Sequence, residues 1–395
     1  MHFSALVALT TATSVLASPV QQQSGIATLQ LKQVNRAKSA SEIAEHTKAR
    51  IASFGAGGDK ATGPKSGPAE NLVVSYVANV TVGSGTYELI VDTGSSNTWI
   101  GADKAYSPGP NSKDTGHSVQ VGYGSGGFYG EEYLDTVTIA GLSVSGQGVG
   151  VASYSRGFNQ GVDGIFGVGP VALTKNTVQN EATVPTFLNN LFKKSLIPEE
   201  VFSVYFHPET GGDSNDVNGE LTFGGVDSTK FSGPISYVPT QKSGGAAPFW
   251  GVSASFQYGS KKLGNTNAGI VDTGTTLIAL PDAAYKAFLT ASGGAYDQAT
   301  QFVRYSKKPT SSFSITIGSA TYTLTPDQYL VPKDQYANLE GFNPSYYYAW
   351  IGDGGSGVDE YGNAVPDAVI GQKFLEHYYS VYDTTNSRVG FAKAV

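Results

Sequence analysis

The sequence predicts a mostly β protein built from two similar lobes with a few short helices. Three observations support this prediction. Short runs of β-branched and aromatic residues alternate with glycines, which make up 50 of 395 residues. The length exceeds what one compact core usually holds. A seven-residue motif also occurs twice, as expected if one architecture has been duplicated.

The predicted strands begin at Leu72. Each is a short run of apolar residues, alternating or continuous, that ends at a glycine. They include LVVSYVANVTVG (72–83), YELIVDTG (87–94), EEYLDTVTIAG (131–141) and NGELTFGG (218–225).

One segment has the pattern of a helix instead. In TVPTFLNNLFKKSLI (183–197) the apolar residues recur at helical spacing, and either Thr183 or Thr186 can serve as the N-cap. We therefore expect a helix here between strands.

The repeated motif indicates how the chain is divided. Leu89–Ser95 (LIVDTGS) returns as Gly269–Thr275 (GIVDTGT), 180 residues later. Each copy is followed downstream by two apolar residues and a glycine, Ile165–Gly167 in the first half and Val369–Gly371 in the second. We expect one copy per lobe, with an N-terminal β lobe at 68–235 and a C-terminal β lobe at 236–395.

The N-terminus has the features of a secretory signal peptide. Residues 1–17 (MHFSALVALTTATSVLA) combine a short apolar run with small residues where a signal peptidase cuts. We therefore expect a secreted, extracellular protein; the alternative is a buried N-terminal helix of a cytosolic protein. No later run reaches about 18 uncharged apolar residues, so no membrane anchor is expected.

Residues 18–65 differ in charge from the rest of the chain. They hold seven basic and three acidic side chains, a net charge of +4, which leaves −11 for residues 66–395. A helical pattern at 39–54 is followed by the glycine-rich stretch GAGGDKATGPKSGP (55–68), which is typical of a protease-accessible linker. These features predict a removable pro-segment; the alternative is a solvated basic linker.

The composition excludes several classes of function. A net charge of −7 does not favour binding to nucleic acid or to an anionic membrane. The absence of cysteine excludes disulfides, thiolate nucleophiles and zinc fingers, and the five histidines show no metal-ligand spacing, so neither a metal nor a cofactor is expected. Gly122–Gly127 matches a dinucleotide-binding glycine pattern, but the following FYGEEYLDTVTIA reads as a strand rather than a helix, so we reject a nucleotide site.

Each copy of the repeat ends a buried strand in an Asp-Thr-Gly turn. A carboxylate taken out of water is costly to ionise alone, so it needs hydrogen-bond donors. The motif supplies hydroxyl groups one and three residues later and a flexible glycine that exposes backbone N–H groups. The donors are Thr93, Gly94 and Ser95 in the first copy and Thr273, Gly274 and Thr275 in the second.

If the lobes are related by a pseudo-twofold axis, the two turns meet and Asp92 faces Asp272. Two carboxylates in contact cannot both be charged, so they share a proton and one acts as base while the other acts as acid. Such a pair can activate water for attack on a carbonyl group while protonating its oxygen. Amide hydrolysis is the reaction that this chemistry favours.

These motifs resemble those of a known family. Val91–Trp99 (VDTGSSNTW) and Val271–Thr276 (VDTGTT) are similar to the paired active-site motifs of pepsin-like aspartic proteases, which are bilobal β proteins. Gly122–Gly126 resembles the family's flap hairpin, whose Tyr closes over substrate. The resemblance extends over about residues 72–395, and the sequence is similar to fungal secreted enzymes of the polyporopepsin type, which also lack cysteines.

The resemblance implies a role for each motif residue. Asp92 and Asp272 are the expected catalytic pair. Ser95 and Thr275 would steady their carboxylates, Thr93 and Thr273 would lock the two loops together, and Gly94 and Gly274 would bond to substrate backbone. The remaining expected substrate-binding residues are Ile90, Tyr123, Gly124, Ser125 and Thr276, with Trp99 as the hydrogen-bonding support of the flap Tyr.

The sequence as a whole thus predicts a monomeric aspartic endopeptidase made as a zymogen and active at acid pH. An extended peptide or protein would be its substrate, with bulky hydrophobic residues at the cut, and pepstatin-like compounds would inhibit it. At neutral pH we expect a pro-segment lysine, Lys60, Lys65 or an earlier one, against the ionised pair. The alternatives are an inactive member of the fold that binds peptides or inhibitors, and a glycosidase, which also uses two carboxylates.

Overall fold

The structure is a computed structural model. It describes residues 25–54, 74–123, 126–158, 161–209, 217–359 and 361–395. The predicted signal peptide (1–17) and the glycine-rich stretch (55–68) lie outside these ranges, as do Gly124 and Ser125.

Strands are the predominant secondary structure of the described chain and helices are few and short, which confirms the predicted mostly β fold class. In chain order the strands are β1 (Ala27–Asn35), β2 (Val74–Val82), β3 (Gly85–Asp92), β4 (Thr98–Ile100), β5 (Lys113–Gly122), β6 (Gly127–Ile139), β7 (Leu142–Arg156), β8 (Gly164–Gly167), β9 (Val201–Phe206), β10 (Val217–Phe223), β11 (Phe231–Pro239), β12 (Gly251–Tyr258), β13 (Lys261–Val271), β14 (Ile278–Leu280), β15 (Ala295–Tyr296), β16 (Val303–Tyr305), β17 (Phe313–Ile317), β18 (Ala320–Leu324), β19 (Tyr347–Ala349), β20 (Ile351–Asp353), β21 (Ala368–Ile370), β22 (Tyr378–Asp383) and β23 (Arg388–Ala394).

The helices are short, and none in the described ranges is long and apolar enough to cross a membrane. They are α1 (Ala40–Ser53), α2 (Phe187–Lys193), α3 (Asp282–Ser292), α4 (Pro326–Tyr329), α5 (Gln372–Leu375) and the 3₁₀ helices Val171–Thr174 and Lys333–Asn338.

The sequence patterns predicted the right type of element. The four quoted β runs correspond to β2, β3, β6 and β10, and the run after the glycine-rich pattern at Gly122–Gly127 is strand β6 rather than a helix. Helix α2 begins after Thr186, whose hydroxyl accepts from the N–H of Asn189 at 3.2 Å while the Asn189 side chain accepts from the N–H of Thr186 at 2.9 Å. This reciprocal capping box identifies Thr186, not the exposed Thr183, as the cap.

The described strands form three sheets. The largest has the order β11-β23-β22-β9-β10-β1-β2-β3-β8-β4-β7-β6-β5, the second β18-β17-β12-β13-β21-β14-β20 and the smallest β15-β16-β19. The second and smallest sheets hold only residues of the second half of the chain. Strands β22 and β23 also come from the second half but pair within the largest sheet, and the lobe boundaries at 68–235 and 236–395 stay predictions.

The internal repeat corresponds to one strand arrangement made twice. Strand β3 pairs in parallel with β8, so that Asp92 lies opposite Gly167. Strand β13 pairs in parallel with β21, so that Val271 lies opposite Ile370. The two downstream echoes that the sequence contains are therefore the parallel partners of the two motif strands.

Residues 27–53 of the predicted pro-segment are part of the folded molecule. Strand β1 lies between β10 and β2, with Leu29 opposite Leu221 and Gln33 opposite Tyr76. Helix α1, which the sequence predicted, packs its buried face against residues of the second half, including Trp350 and Phe249. Strand β1 was not predicted from the sequence.

Candidate active site

The two motif strands carry their aspartates into the interior. Asp92 is the last residue of β3 and Asp272 directly follows β13, and both are 0 % exposed. The residues before them are apolar and buried, which is why the strands run through the core. At each Asp the chain turns at a Thr-Gly pair, and the turn presents its backbone N–H groups to the carboxylate.

Each carboxylate is held in the same way by its own motif. The backbone N–H two residues later donates to Oδ1, and the hydroxyl three residues later donates to Oδ2. These bonds join Gly94 N to Asp92 Oδ1 (3.0 Å), Ser95 Oγ to Asp92 Oδ2, Gly274 N to Asp272 Oδ1 (3.0 Å) and Thr275 Oγ1 to Asp272 Oδ2 (2.6 Å).

Four hydrogen bonds lock the two loops together. The N–H of Thr93 donates to Oγ1 of Thr273 at 3.0 Å, and the N–H of Thr273 donates to Oγ1 of Thr93 at 2.9 Å. The same hydroxyls donate onward, Thr93 to the carbonyl of Val271 (3.0 Å) and Thr273 to that of Val91 (2.8 Å). Because the threonines are fully buried, the relative position of the loops is fixed by neutral bonds shielded from water.

The glycines show how closely the motifs approach. A Cβ atom on Gly94 would lie 2.6 Å from Oδ1 of Asp272, and one on Gly274 would lie 2.6 Å from Oδ1 of Asp92. Each glycine therefore borders the carboxylate of the other motif, and no larger residue fits at either position. The predicted meeting of the two aspartates is present in the fold.

A basic side chain of the predicted pro-segment bonds to both aspartates, and it is Arg50 of α1. A lysine was expected there; no described lysine of this segment bonds to either aspartate, and Lys60 and Lys65 lie outside the described residues. Nη2 of Arg50 lies 2.5 Å from Oδ1 of Asp92 and 3.2 Å from Oδ1 of Asp272, and Nε lies 3.1 Å from Oδ2 of Asp272. A guanidinium can bridge two carboxylates because its donors form a planar fork, whereas an ammonium group is a single point of charge.

The electrostatic environment separates the two aspartates. Burial raises the pKa of Asp92, and the charge of Asp272 raises it further. These two effects outweigh the positive charge of Arg50, which lowers the pKa of Asp92. Burial also opposes ionisation of Asp272, but the charge of Arg50 and hydrogen bonds from Arg50, Thr275 and Gly274 outweigh it, so that the pKa of Asp272 is lowered. In this state Asp272 is the more acidic member of the pair.

His46 lies one helical turn before Arg50 and is also buried. It is 2 % exposed, and its Nδ1 atom makes no hydrogen bond within the described residues. Burial and the positive charge of Arg50 lower the pKa of His46 to about 4, although the charge of Asp272 opposes this shift. The imidazole is therefore held neutral beside the guanidinium.

The flap residues pack over the first motif. Tyr123 is buried and stacks on Trp99 with ring centroids 6.4 Å apart, while Phe158 contacts it edge-on at 5.6 Å. Ile90 belongs to the same apolar cluster. The Tyr123 hydroxyl and the Trp99 indole nitrogen are both buried, and neither makes a hydrogen bond of ordinary geometry within the described residues. The hydroxyl is nevertheless close enough to Trp99 and Ser95 for hydrogen bonding to both to lower the pKa of Tyr123. Burial and the charge of Asp92 raise the pKa of Tyr123.

Thr276, an expected substrate-binding residue, is buried with its hydroxyl lacking a hydrogen-bond partner among the described residues. Gly124 and Ser125 lie outside them. Sequence reasoning missed Gln372 on α5, whose Nε2 donates to the carbonyls of Thr273 (2.8 Å) and Val74 (3.1 Å) and so braces the second loop.

Sequence reasoning also missed the position of Arg50, although a signal for it exists. Buried residues of α1 recur at 43, 46, 47, 50 and 51, the spacing of one helix face. Arg50 lies on that face and therefore had to meet a buried acidic partner. Nothing comparable in the sequence singles out Gln372.

Comparisons with known proteins agree with this geometry. The family described as "Asp: Eukaryotic aspartyl protease" matches residues 75–394. Polyporopepsin of Irpex lacteus is 44% identical over 333 residues, which cover 82% of this chain and 96% of that protein. Aspergillopepsin-1 of Aspergillus oryzae is 31% identical over 360 residues, covering 86% and 83%. The crystal structure of an aspartic proteinase from Irpex lacteus superposes with a TM-score of 0.76 at 36% identity, covering 93% of this chain and 97% of that one.

The threonine lock can be tested through stability. Thr93→Val keeps the side-chain shape but removes one donor and leaves the buried N–H of Thr273 without its acceptor, so we expect a loss of about 2–4 kcal/mol in the free energy of unfolding. Urea unfolding of the full-length chain at neutral pH measures this loss. Thr138→Val, which removes a surface hydroxyl bonded to Ser143, is the control and should change stability by less than about 0.5 kcal/mol. Equal effects of the two substitutions would contradict the lock.

Proposed function

This chain belongs to the eukaryotic aspartyl protease family and is an aspartic endopeptidase, and on that premise we propose that Asp92 and Asp272 cleave peptide bonds by activating water. One observation carries the proposal. The two carboxylates are buried, bonded by mirrored donors and close enough that each excludes a side chain from the other motif's glycine. Both aspartates and both glycines are present, which argues against an inactive peptide-binding member.

With Arg50 withdrawn, the two buried carboxylates hold one proton between them. The ionised member takes a proton from water, and the protonated member gives its proton to the carbonyl oxygen of the scissile bond. The amide is then hydrolysed without a covalent intermediate. An extended peptide lies between the flap and the two loops in this proposal, with backbone bonds to Gly94 and Gly274. Pepstatin-like compounds would compete for the same place.

Asp92→Asn and Asp272→Asn test the pair. Because an amide cannot carry the shared proton, each substitution should reduce cleavage of a denatured protein by at least about 1000-fold. Asp334→Asn, at an exposed position, is the matched control and should retain activity. Far-UV circular dichroism checks that the variants fold. Substantial activity in either active-site variant, or a wild-type rate maximum near pH 8, would contradict the shared proton.

We further propose that residues 1–17 direct secretion and that residues 18–65 form an inhibitory pro-segment. The support for inhibition is the position of Arg50, which bonds to both aspartates and takes the place that water would need. The opposite charges of the segment (+4) and the remainder (−11) favour their association at neutral pH.

Acid would release this segment in two stages. Released His46 titrates near its ordinary value of 6.5, whereas the docked residue has a pKa of about 4, so the released state binds more protons between these values. Docking is therefore strongest above pH 6.5 and weakens as the pH falls towards 4, by up to about 300-fold. The ion pair of Arg50 with Asp272 persists to lower pH. The lowered pKa of Asp272 keeps its carboxylate charged until the pH falls below about 4, the ordinary pKa of an aspartate.

The activation proposal predicts how pro-segment variants behave. His46→Gln stays neutral at every pH, so the pH at which the proform converts should fall by about one unit from a wild-type value near 5. Arg50→Gln should make the intact proform cleave a peptide near pH 7. N-terminal sequencing after an acid shift should locate the new terminus between Ala61 and Glu70, which lies outside the described residues.

Three outcomes would contradict this scheme. A full-length wild-type chain that is fully active at pH 7 without processing would show that the segment is only a linker. An unchanged conversion pH in His46→Gln would remove the histidine from the trigger. An Asp92→Asn proform that matures unaided would show that the cut is not made by the chain itself.

The apolar cluster beneath the flap supports a preference for bulky hydrophobic or aromatic residues beside the cut. Ile90 and Tyr123 belong to this cluster, and Val119 and Phe128 extend it. Sequencing the products of a mixed peptide library should show these residues at the cleaved bond. The family resemblance implies that an Asp at the flap position of Ser125 favours lysine beside the cut, so Ser125→Asp should raise cleavage after lysine. Dominant cleavage after lysine by the wild type would contradict the preference.

A further inference from the structure

Three side chains remote in sequence converge on the outer side of the hairpin formed by β5 and β6. They are His117 on β5, Glu132 on β6 and Glu181 in the loop before α2. One ligand atom from each lies within 4.8 Å of the others. Because the three residues come from separate segments, the spacing of histidines along the sequence gave no sign of a metal site.

A β-bulge turns His117 towards Glu132. The pairing of β5 with β6 changes register between Asp114 and Ser118, and Gly116 within the bulge has a φ of +71°. The hydroxyl of Thr115 donates to the carbonyl of Glu132 at 2.9 Å and fixes the bulge against the neighbouring strand. Bulges of this kind re-aim a side chain locally without disturbing the rest of the ladder.

The loop that carries Glu181 is attached to the same strand. The N–H of Gln179 donates to the carbonyl of Ser118, and the N–H of Gln120 donates to that of Thr177, both at 2.9 Å. The Glu181 side chain is partly exposed, and its Oε1 lies 3.7 Å from Nδ1 of His117. It can therefore adjust its position while its backbone stays in place.

The protein balances the charges at this place only in part. Glu132 is 4 % exposed, and no Lys or Arg of the described chain forms an ion pair with it. Burial raises the pKa of Glu132 and the charge of Glu181 raises it further, while hydrogen bonding with Thr115 and the charge of His117 lower it. The Nδ1 atom of His117 is buried and makes no hydrogen bond within the described residues. A buried carboxylate beside a second carboxylate lacks a full positive partner, which a cation would supply.

We propose that His117, Glu132 and Glu181 bind one divalent transition-metal ion, of which Zn²⁺ is the best match. One imidazole nitrogen and two carboxylate oxygens are a donor set that Zn²⁺ accepts, with water as a fourth ligand. Ligands about 2.0–2.1 Å from a tetrahedral ion are about 3.3 Å apart. The His117 and Glu181 atoms, 3.7 Å apart, need only a small closure, and the atoms of the whole set, within 4.8 Å of one another, need at most about 1.5 Å.

The ion would join the Glu181 loop to the hairpin whose tip carries Tyr123. This site shares no residue with the aspartate pair, and its failure would leave the proposed function untouched.

Isothermal titration of the chelator-treated full-length chain with ZnCl₂ at pH 7 tests the proposal. We expect one Zn²⁺ per chain with a Kd of about 10 µM or tighter. His117→Asn and Glu132→Gln should each weaken binding by at least about 100-fold. His207→Asn removes an exposed histidine elsewhere and should leave the affinity unchanged.

Thermal unfolding supplies the second measurement. Zn²⁺ should raise the melting temperature of the wild type and of His207→Asn but not of His117→Asn. If Glu132→Gln does not fold, His117→Asn decides the question, because its side chain is partly exposed and its loss leaves the core intact. No binding by the wild type up to 1 mM Zn²⁺, or equal affinity in the wild type and His117→Asn, would overturn the proposal.

Discussion

The burial of two acidic side chains against each other is the constraint on which the rest of the structure depends. Asp92 and Asp272 have no contact with bulk water, and each charge raises the cost of ionising the other. The chain meets that cost with neutral donors from its own turns and with Arg50, whose planar donors reach both carboxylates. Glycine at 94 and 274 follows from the same constraint, because a side chain there would overlap the opposing carboxylate.

Rigid contacts join the two halves of the chain. Each bond of the threonine lock joins a backbone N–H or C=O group to the short hydroxyl side chain of a threonine, so the separation of the two aspartates does not depend on long flexible side chains. Strands β22 and β23 also connect the two halves, because these strands from the end of the chain lie in the same sheet as β1, β2 and β3 from its first half. Arg50 can bridge both carboxylates only because this framework holds them at one distance.

Features that depend on neighbouring residues could be predicted from the sequence. Short stretches of sequence show the apolar runs of β2, β3, β6 and β10 and the repeated Asp-Thr-Gly turn. These runs predicted the fold class, and the repeat predicted the paired aspartates. Strand β1 was missed although Leu29 and Leu31 alternate with polar residues in ATLQLKQVN, because this stretch lies in the basic segment that was interpreted as a removable extension. Its pairing with β10 and β2 depends on contacts distant in sequence. The role of Arg50 was missed although the helical pattern places it on the buried face of α1. The role of Gln372 could not be predicted because it depends on a contact with Thr273, 99 residues away in the sequence.

The central place of β1 has a consequence for the proposed removal of residues 18–65. Removing residues 27–35 leaves β10 and β2 facing each other across the width of one strand, each with a row of unsatisfied N–H and C=O groups. A gap of that kind in the middle of a sheet is filled by another strand or closed by movement of its neighbours. Under that proposal, maturation would exchange backbone partners as well as cut the chain, and the proform and the mature chain would pair the strands of one sheet in two different ways.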